Sequence, residues 1–274
     1  MRTLLLATAA LLAACTATPL PRHAVYHAAD ADLSITRIVH GALVVEMHGT
    51  RLLVDPWFDP GLFGRQTEAL GLTPDALPTF DAVLVTHRHS DHFDRSALAK
   101  LAASVPTAIG PPDVKDRLAG LGFKSVVALG WWDATRVGAI DVTAVPARHA
   151  VPENGYVVAS GGVTAYLAGD TRPFPQLVDV ATAFPSLDAA LLPIGGARLI
   201  GFAREMTPGD AARAAALLGA RRIIPIGYGE SSGFPFRWHP SKPVDRFVAA
   251  CHDRGIERDR IIVLEPGESW HYYR

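Results

Sequence analysis

Apolar and polar residues alternate along Leu33-Ser34-Ile35-Thr36-Arg37-Ile38-Val39, the period of a half-buried strand. A second apolar run covers Ala42 to Met47. His48-Gly49-Thr50 has the composition of a turn, and Arg51-Leu52-Leu53-Val54-Asp55 returns before Pro56. These segments predict a meander of antiparallel strands. A loop-rich stretch follows from Trp57 to Thr79. Asp81-Ala82-Val83-Leu84-Val85-Thr86 then reads as a buried strand. Asp94 is placed to cap a helix through about Ala103, and Asp113 to Leu121 predicts another. Ser125 to Leu129 predicts a strand, as does Ile140 to Val145, which Pro146 ends. Gly155–Ala159 and Val163–Ala168 form a predicted hairpin around Ser160-Gly161-Gly162.

In the later half strands and helices alternate. Leu187 to Pro193 is strand-like. Thr207-Pro208-Gly209-Asp210 is a helix start, with proline at the first helical position and an acid in the first turn. That helix runs to about Leu218 and stops at Gly219. A strand over Arg222–Ile226, a helix over Pro243–Arg254 and a last strand over Ile261–Leu264 complete the chain. The pattern predicts an α/β fold: two sheets stacked face to face with helices outside, as one domain over residues 33–274.

Composition changes this picture at the N-terminus. Met1-Arg2-Thr3 precedes an apolar run from Leu4 to Ala14, the pattern of a secretory signal peptide over residues 1–14. The run is too short for a spanning helix, which takes about 20 apolar residues. Leu12-Ala13-Ala14-Cys15 resembles the bacterial lipobox, which implies cleavage before Cys15 and its lipidation; an ordinary signal peptide is the other reading. Thr16 is not the aspartate that would retain such a lipoprotein at an inner membrane. Residues 15–32 then form a lipidated cysteine and tether, and the expected location is the periplasmic face of an outer membrane. Only Cys251 remains in the body, so no intrachain disulfide is expected there. The chain has 274 residues, 49% of them hydrophobic, and a net charge of -1 without a basic block, which argues against nucleic-acid binding.

The chemistry concentrates in Thr86-His87-Arg88-His89-Ser90-Asp91-His92-Phe93-Asp94. Four potential ligands fall within six residues, directly after a buried strand whose end is rigid. Imidazole nitrogen suits zinc, and a carboxylate among histidines suits a second, more oxygen-tolerant site. His149, just after the strand ended by Pro146, and Asp170, in Ala168-Gly169-Asp170-Thr171, occupy matching positions. Gly169 permits close backbone approach.

With these motifs the chain resembles the metallo-β-lactamase superfamily, on the branch that includes ascorbate-phosphate lactonases and N-acyl-phosphatidylethanolamine phospholipase D. The resemblance extends over Ile38-Val39-His40-Gly41-Ala42, Leu53-Val54-Asp55-Pro56, Pro146-Ala147-Arg148-His149, Leu192-Pro193-Ile194-Gly195-Gly196 and Met206-Thr207-Pro208. It implies an αββα sandwich with the active site at one edge between the sheets. It implies that His87, His89 and His149 hold a first metal, Asp91 and His92 a second, and Asp170 both. Zinc is the expected ion, with manganese or iron(II) also compatible. The implied activity is hydrolysis of a phosphodiester, lactone or related ester by a metal-activated water, with Asp91 as the catalytic carboxylate and a small molecule or lipid as substrate. Asp55 either orients a ligand histidine or is a solvated turn residue. His40 either lines the pocket or is structural.

One position departs from the family. A late family strand ends in Pro-x-His and supplies the last ligand of the second metal, whereas here it reads Pro225-Ile226-Gly227. The second site is then weak or empty, or Glu230, Tyr228 or His239 substitutes, His239 being the best single candidate. Loss of catalysis in a metal- or ligand-binding lipoprotein is the competing function. Hydrolysis of β-lactams is less favoured by the overall pattern. Phe234, Phe236 and Trp238, with Trp57, Phe58 and Phe63, form a candidate apolar rim.

Overall fold

The computed structural model describes residues 30–59, 64–199, 202–232, 237–238 and 241–274. The signal segment, Cys15 and most of the tether lie outside these residues, as do Phe63, Phe234, Phe236 and His239. In chain order the strands are β1 (Leu33–Val39), β2 (Ala42–Met47), β3 (Thr50–Val54), β4 (Gly64–Gln66), β5 (Ala82–Leu84), β6 (Thr107–Gly110), β7 (Ser125–Ala128), β8 (Ala134–Val137) and β9 (Ile140–Pro146). They continue with β10 (Asn154–Ser160), β11 (Val163–Leu167), β12 (Ala189–Pro193), β13 (Arg198–Leu199), β14 (Phe202–Ala203), β15 (Arg222–Ile226), β16 (Glu230–Ser232), β17 (Arg237–Trp238) and β18 (Ser269–Tyr272). The helices are α1 (Arg95–Leu101), α2 (Lys115–Ala119), α3 (Leu177–Ala183), α4 (Pro208–Leu218) and α5 (Pro243–His252).

Two mixed sheets form the centre. One runs β18-β1-β2-β3-β5-β6-β7, antiparallel from β18 to β3 and parallel from β3 to β7. The other runs β15-β12-β11-β10-β9-β8, parallel from β15 to β11 and antiparallel beyond. One apolar layer joins the inner faces: Ile35, Val45 and Leu84 of the first sheet pack with Val142, Tyr156 and Leu191 of the second. A second layer holds α4 and α5 against the outside of the second sheet through Ala211, Ala215, Phe247 and Cys251. A third packs Leu98 of α1 and Leu118 of α2 against Val44 and Val83. The result is the expected αββα sandwich.

Local chemistry fixes the ends of these elements. The Asp94 carboxylate accepts from Ala97 N at 3.0 Å and so caps α1. Thr207 and Asp210 cap α4 reciprocally, and Gly219 ends it at φ 64°, where a side chain would be strained. Gly161 and Gly162, at φ 57° and 81°, turn the hairpin of β10 and β11.

Two expectations fail. Ile261–Leu264 is buried but is not a strand: it makes a single bridge, Ile223 to Ile261. The true last strand, β18, pairs with β1 from the opposite end of the chain. The short strands β6 and β8 also escape the sequence pattern.

The layout sends chain ends to one place. Strands β1, β3 and β5 run parallel, and so do β9, β11 and β15. Their C-terminal ends lead into His40, Asp55, the histidine run, His149, Asp170 and Gly227. An antiparallel bridge between His87 and Glu153 ties the two sheets together at this edge.

Candidate metal centre

Two clusters of ligand atoms meet at that edge. In the first, His87, His89 and His149 each offer a ring nitrogen within 4.8 Å of the others. His89 Nδ1 stands 3.0 Å from His87 Nε2 and 3.0 Å from His149 Nε2. One proton on His89 cannot serve both contacts. Ligand atoms at ~2.0–2.1 Å from a tetrahedral ion are about 3.3 Å apart, so this crowding of nitrogens fits a shared cation. His87 is fully buried, and its Nδ1 lies 3.0 Å from Thr86 Oγ1 and 3.1 Å from Glu153 Oε1. The carboxylate draws the ring proton to Nδ1 and turns the Nε2 lone pair toward the cluster.

The second cluster comprises Asp91, His92, Asp170 and His40, again within 4.8 Å. Asp55 is 2% exposed and accepts from Thr86 N at 2.7 Å and Thr86 Oγ1 at 2.7 Å. Its Oδ2 also lies 2.8 Å from His92 Nδ1. Asp55 thus sits in the interior and is not a solvated turn residue. It leaves His92 Nε2 facing Asp170 Oδ2 at 3.3 Å. Among the described residues Asp170 Oδ1 has no hydrogen-bond partner although it is buried. A buried carboxylate oxygen left without a partner is costly, so this donor set fits a cation.

Glu153, which the sequence pattern did not single out, braces both clusters. Its Oε1 accepts from Asp170 N at 2.7 Å, and the same oxygen contacts His87. Gly169 makes this possible: at φ 62°, a Cβ there would come within 2.6 Å of Glu153 Oε1. The only signal was an acid four residues after His149, at the start of an apolar strand.

The electrostatics separate the clusters. Burial, then the neighbouring histidines His92 and His149, holds His87 well below the ordinary histidine range. Burial lowers His89 and brings His149 down to about 4. All three are therefore neutral near pH 7, with lone pairs free for an ion. For His92 burial works downward, but Asp170 and Asp55 outweigh it and raise the group well above the usual value. Asp170 is correspondingly held low by His92 against its own burial. Burial and the Asp170 charge push Glu153 up. The charge of Arg204 reaches the site and helps depress both His89 and His149.

The position of the expected last ligand is different. Gly227 has φ 69°, and its N–H donates to the His40 carbonyl at 3.2 Å. Tyr228, a candidate substitute, turns away: its hydroxyl donates to Leu264 O at 3.3 Å, and Arg37 stacks 4.0 Å above its ring. The backbone of Glu230 pairs with Gln66. Trp57, expected at an exposed rim, is 1% exposed and packs edge-on against His40 with ring centroids 5.4 Å apart.

A family model described as a beta-lactamase superfamily domain matches residues 50–228. A UPF0173 metal-dependent hydrolase of Pyrococcus furiosus is 30% identical over 248 residues, covering 86% of this chain and 98% of that protein. A UPF0173 metal-dependent hydrolase of Rubrobacter xylanophilus is 31% identical over 234 residues, covering 80% of this chain and 88% of that protein. Among solved structures, the metallo hydrolase Igni18 of Ignicoccus hospitalis shares the fold with a TM-score of 0.71 at 23% identity, over 88% of this chain and 99% of that one.

Proposed function

The chain belongs to the beta-lactamase superfamily of metal-dependent hydrolases, and we propose that it cleaves a phosphodiester, lactone or related ester at the cell envelope. The observation that carries this reading is the convergence of His87, His89 and His149 ring nitrogens at 3.0 Å contacts. These three residues would hold one ion, and Asp91, His92 and Asp170 a second. Zinc fits the histidine set best, with manganese or iron(II) compatible with the carboxylates. Such ions lower the pKa of water and polarise the bond under attack.

The chain's own residues do the rest. Thr86 and Glu153 fix the tautomer of His87, so that a lone pair rather than a proton faces the centre, and Asp55 holds His92 Nδ1 so that Nε2 is the nitrogen that would give up its proton to an ion. Asp91, whose side chain is 12% exposed, is the carboxylate that accepts the proton given up as the bond is attacked. The positive charge of Arg204, felt at His89 and His149, favours an anionic substrate such as a phosphodiester.

Asp91→Ala is expected to abolish cleavage of a chromogenic phosphodiester and of simple lactones, with the fold retained. A wild-type protein inert on both classes with metal supplied contradicts the hydrolase reading. The envelope location rests on Leu12-Ala13-Ala14-Cys15. Cys15→Ala is expected to move the protein from the membrane fraction to the soluble one, and an unchanged distribution contradicts lipidation. Among the described residues no helix is long and apolar enough to cross a membrane.

A further inference from the structure

His40 is the first residue after β1, 1% exposed, with φ 50°. Left-handed backbone at a residue other than glycine persists only where its surroundings impose it. The surroundings here are specific. The His40 carbonyl accepts from Gly227 N at 3.2 Å. Trp57 holds one side of the ring. Gly41 keeps the turn thin, since a Cβ there would lie 3.1 Å from His92 Cε1. The imidazole is thereby placed among the groups of the second cluster, its ring centroid 5.6 Å from that of His92 at 71°.

Its Nε2 stands 3.8 Å from Asp91 Oδ2. That is too long for a hydrogen bond, which closes at roughly 2.7–3.2 Å. It suits two ligands of one ion: bonds of ~2.0–2.2 Å opening at roughly 110–130° set their donor atoms about 3.3–4.0 Å apart. His92 Nε2 and Asp170 Oδ2, at 3.3 Å, show a similar spacing.

At Gly227 the late strand has no room for a nitrogen ligand. A Cβ at Gly227 would stand 3.1 Å from Pro193 Cβ and 3.2 Å from Glu205 Oε2, on a backbone that side chains rarely adopt. A histidine is poorly accommodated there. The glycine instead lends its N–H to the backbone that presents His40.

We infer that His40 is the fourth ligand of a second metal ion, with Asp91, His92 and Asp170, in the place that Gly227 leaves without a side chain. The inference rests on the metallohydrolase reading and specifies its second site.

Cobalt(II) titration of the metal-free chain tests it, with bound equivalents counted and the visible absorption of each site followed. His40→Asn keeps a residue that tolerates left-handed backbone, and His40→Gly removes the ring altogether. The wild type is expected to take up two ions. Both variants are expected to keep the first ion at wild-type affinity and to bind the second at least tenfold more weakly. Added imidazole restores the second ion to His40→Gly, which a merely structural role would not allow. His149→Ala is expected to lose the other ion. The inference is overturned if both variants bind the second ion as the wild type does, or if imidazole has no effect on His40→Gly. It is also overturned if the wild type holds one ion only, or if His239→Ala loses the second ion while His40→Asn retains it. A wild-type chain that takes up no cobalt or zinc refutes the metallohydrolase reading itself.

Discussion

Asp55→Asn isolates the part played by hydrogen bonds around the proposed metal centre. The native carboxylate is 2% exposed and serves Thr86 N, Thr86 Oγ1 and His92 Nδ1. Asparagine has the same shape and tolerates the φ of 45° found here. Its oxygen can keep the Thr86 N–H, and the Thr86 hydroxyl can rotate to accept. The amide NH2 then faces His92 Nδ1, and two donors oppose each other. One hydrogen bond to a charged group is lost, costing about 1.5–3 kcal/mol of stability. His92 can avoid the clash only by giving up the Nδ1 proton and keeping the one on Nε2, which denies an ion the lone pair it would need there. Loss of such an outer contact typically weakens metal binding about 10–100-fold. Competition with a chromogenic zinc chelator measures this, and circular dichroism establishes that the variant is folded. A folded variant whose affinity for every bound ion stays within about twofold of wild type would refute the assignment of Asp55 as the residue that orients His92.

Two further outcomes follow from the same geometry. Gly169→Ala places a methyl 2.6 Å from Glu153 Oε1 at a φ of 62°; left-handed strain of about 1–2 kcal/mol adds to a weakened Glu153 to Asp170 contact, so urea unfolding should show a loss of about 3 kcal/mol, and an unchanged midpoint would contradict it. The metal-free protein should lose stability as pH falls from about 6.5 toward about 4, where folded His149 titrates. In that window the unfolded chain binds protons that His87, His89 and His149 refuse while folded, and these three outweigh the single proton that the raised Glu153 keeps only when folded, so stability rises with pH. His92 does not oppose this, because a raised histidine keeps its full contribution below the unfolded value and loses it only at higher pH. A melting temperature that is flat over this range would contradict the placement of the three histidines.

The sequence revealed most of the site because each group follows an apolar run. The strands ending near Val39, Val54, Leu84, Pro146 and Leu167 are visible from pattern alone, and the residues just past them converge at the candidate metal centre. What stayed hidden depends on pairing across the chain. β18 is short, and its partner β1 lies more than 200 residues away, so no local signal marks it. Ile261–Leu264 shows the reverse error, because burial alone makes an apolar run look like a strand. Glu153 has no ligand spacing at all. Its role arises because an antiparallel bridge sets it beside His87, 66 residues earlier in the chain. For His40 the sequence left two readings open, and the fold places it among Asp91, His92 and Asp170.

X-ray absorption at the zinc edge, on protein purified and reconstituted with one equivalent of zinc, tests the central claim most directly. Three imidazole nitrogens at about 2.0–2.1 Å, lost in His87→Ala and His149→Ala alike, are the predicted result. A zinc shell without histidine, or one unchanged by either substitution, would contradict a metal centre built on His87, His89 and His149.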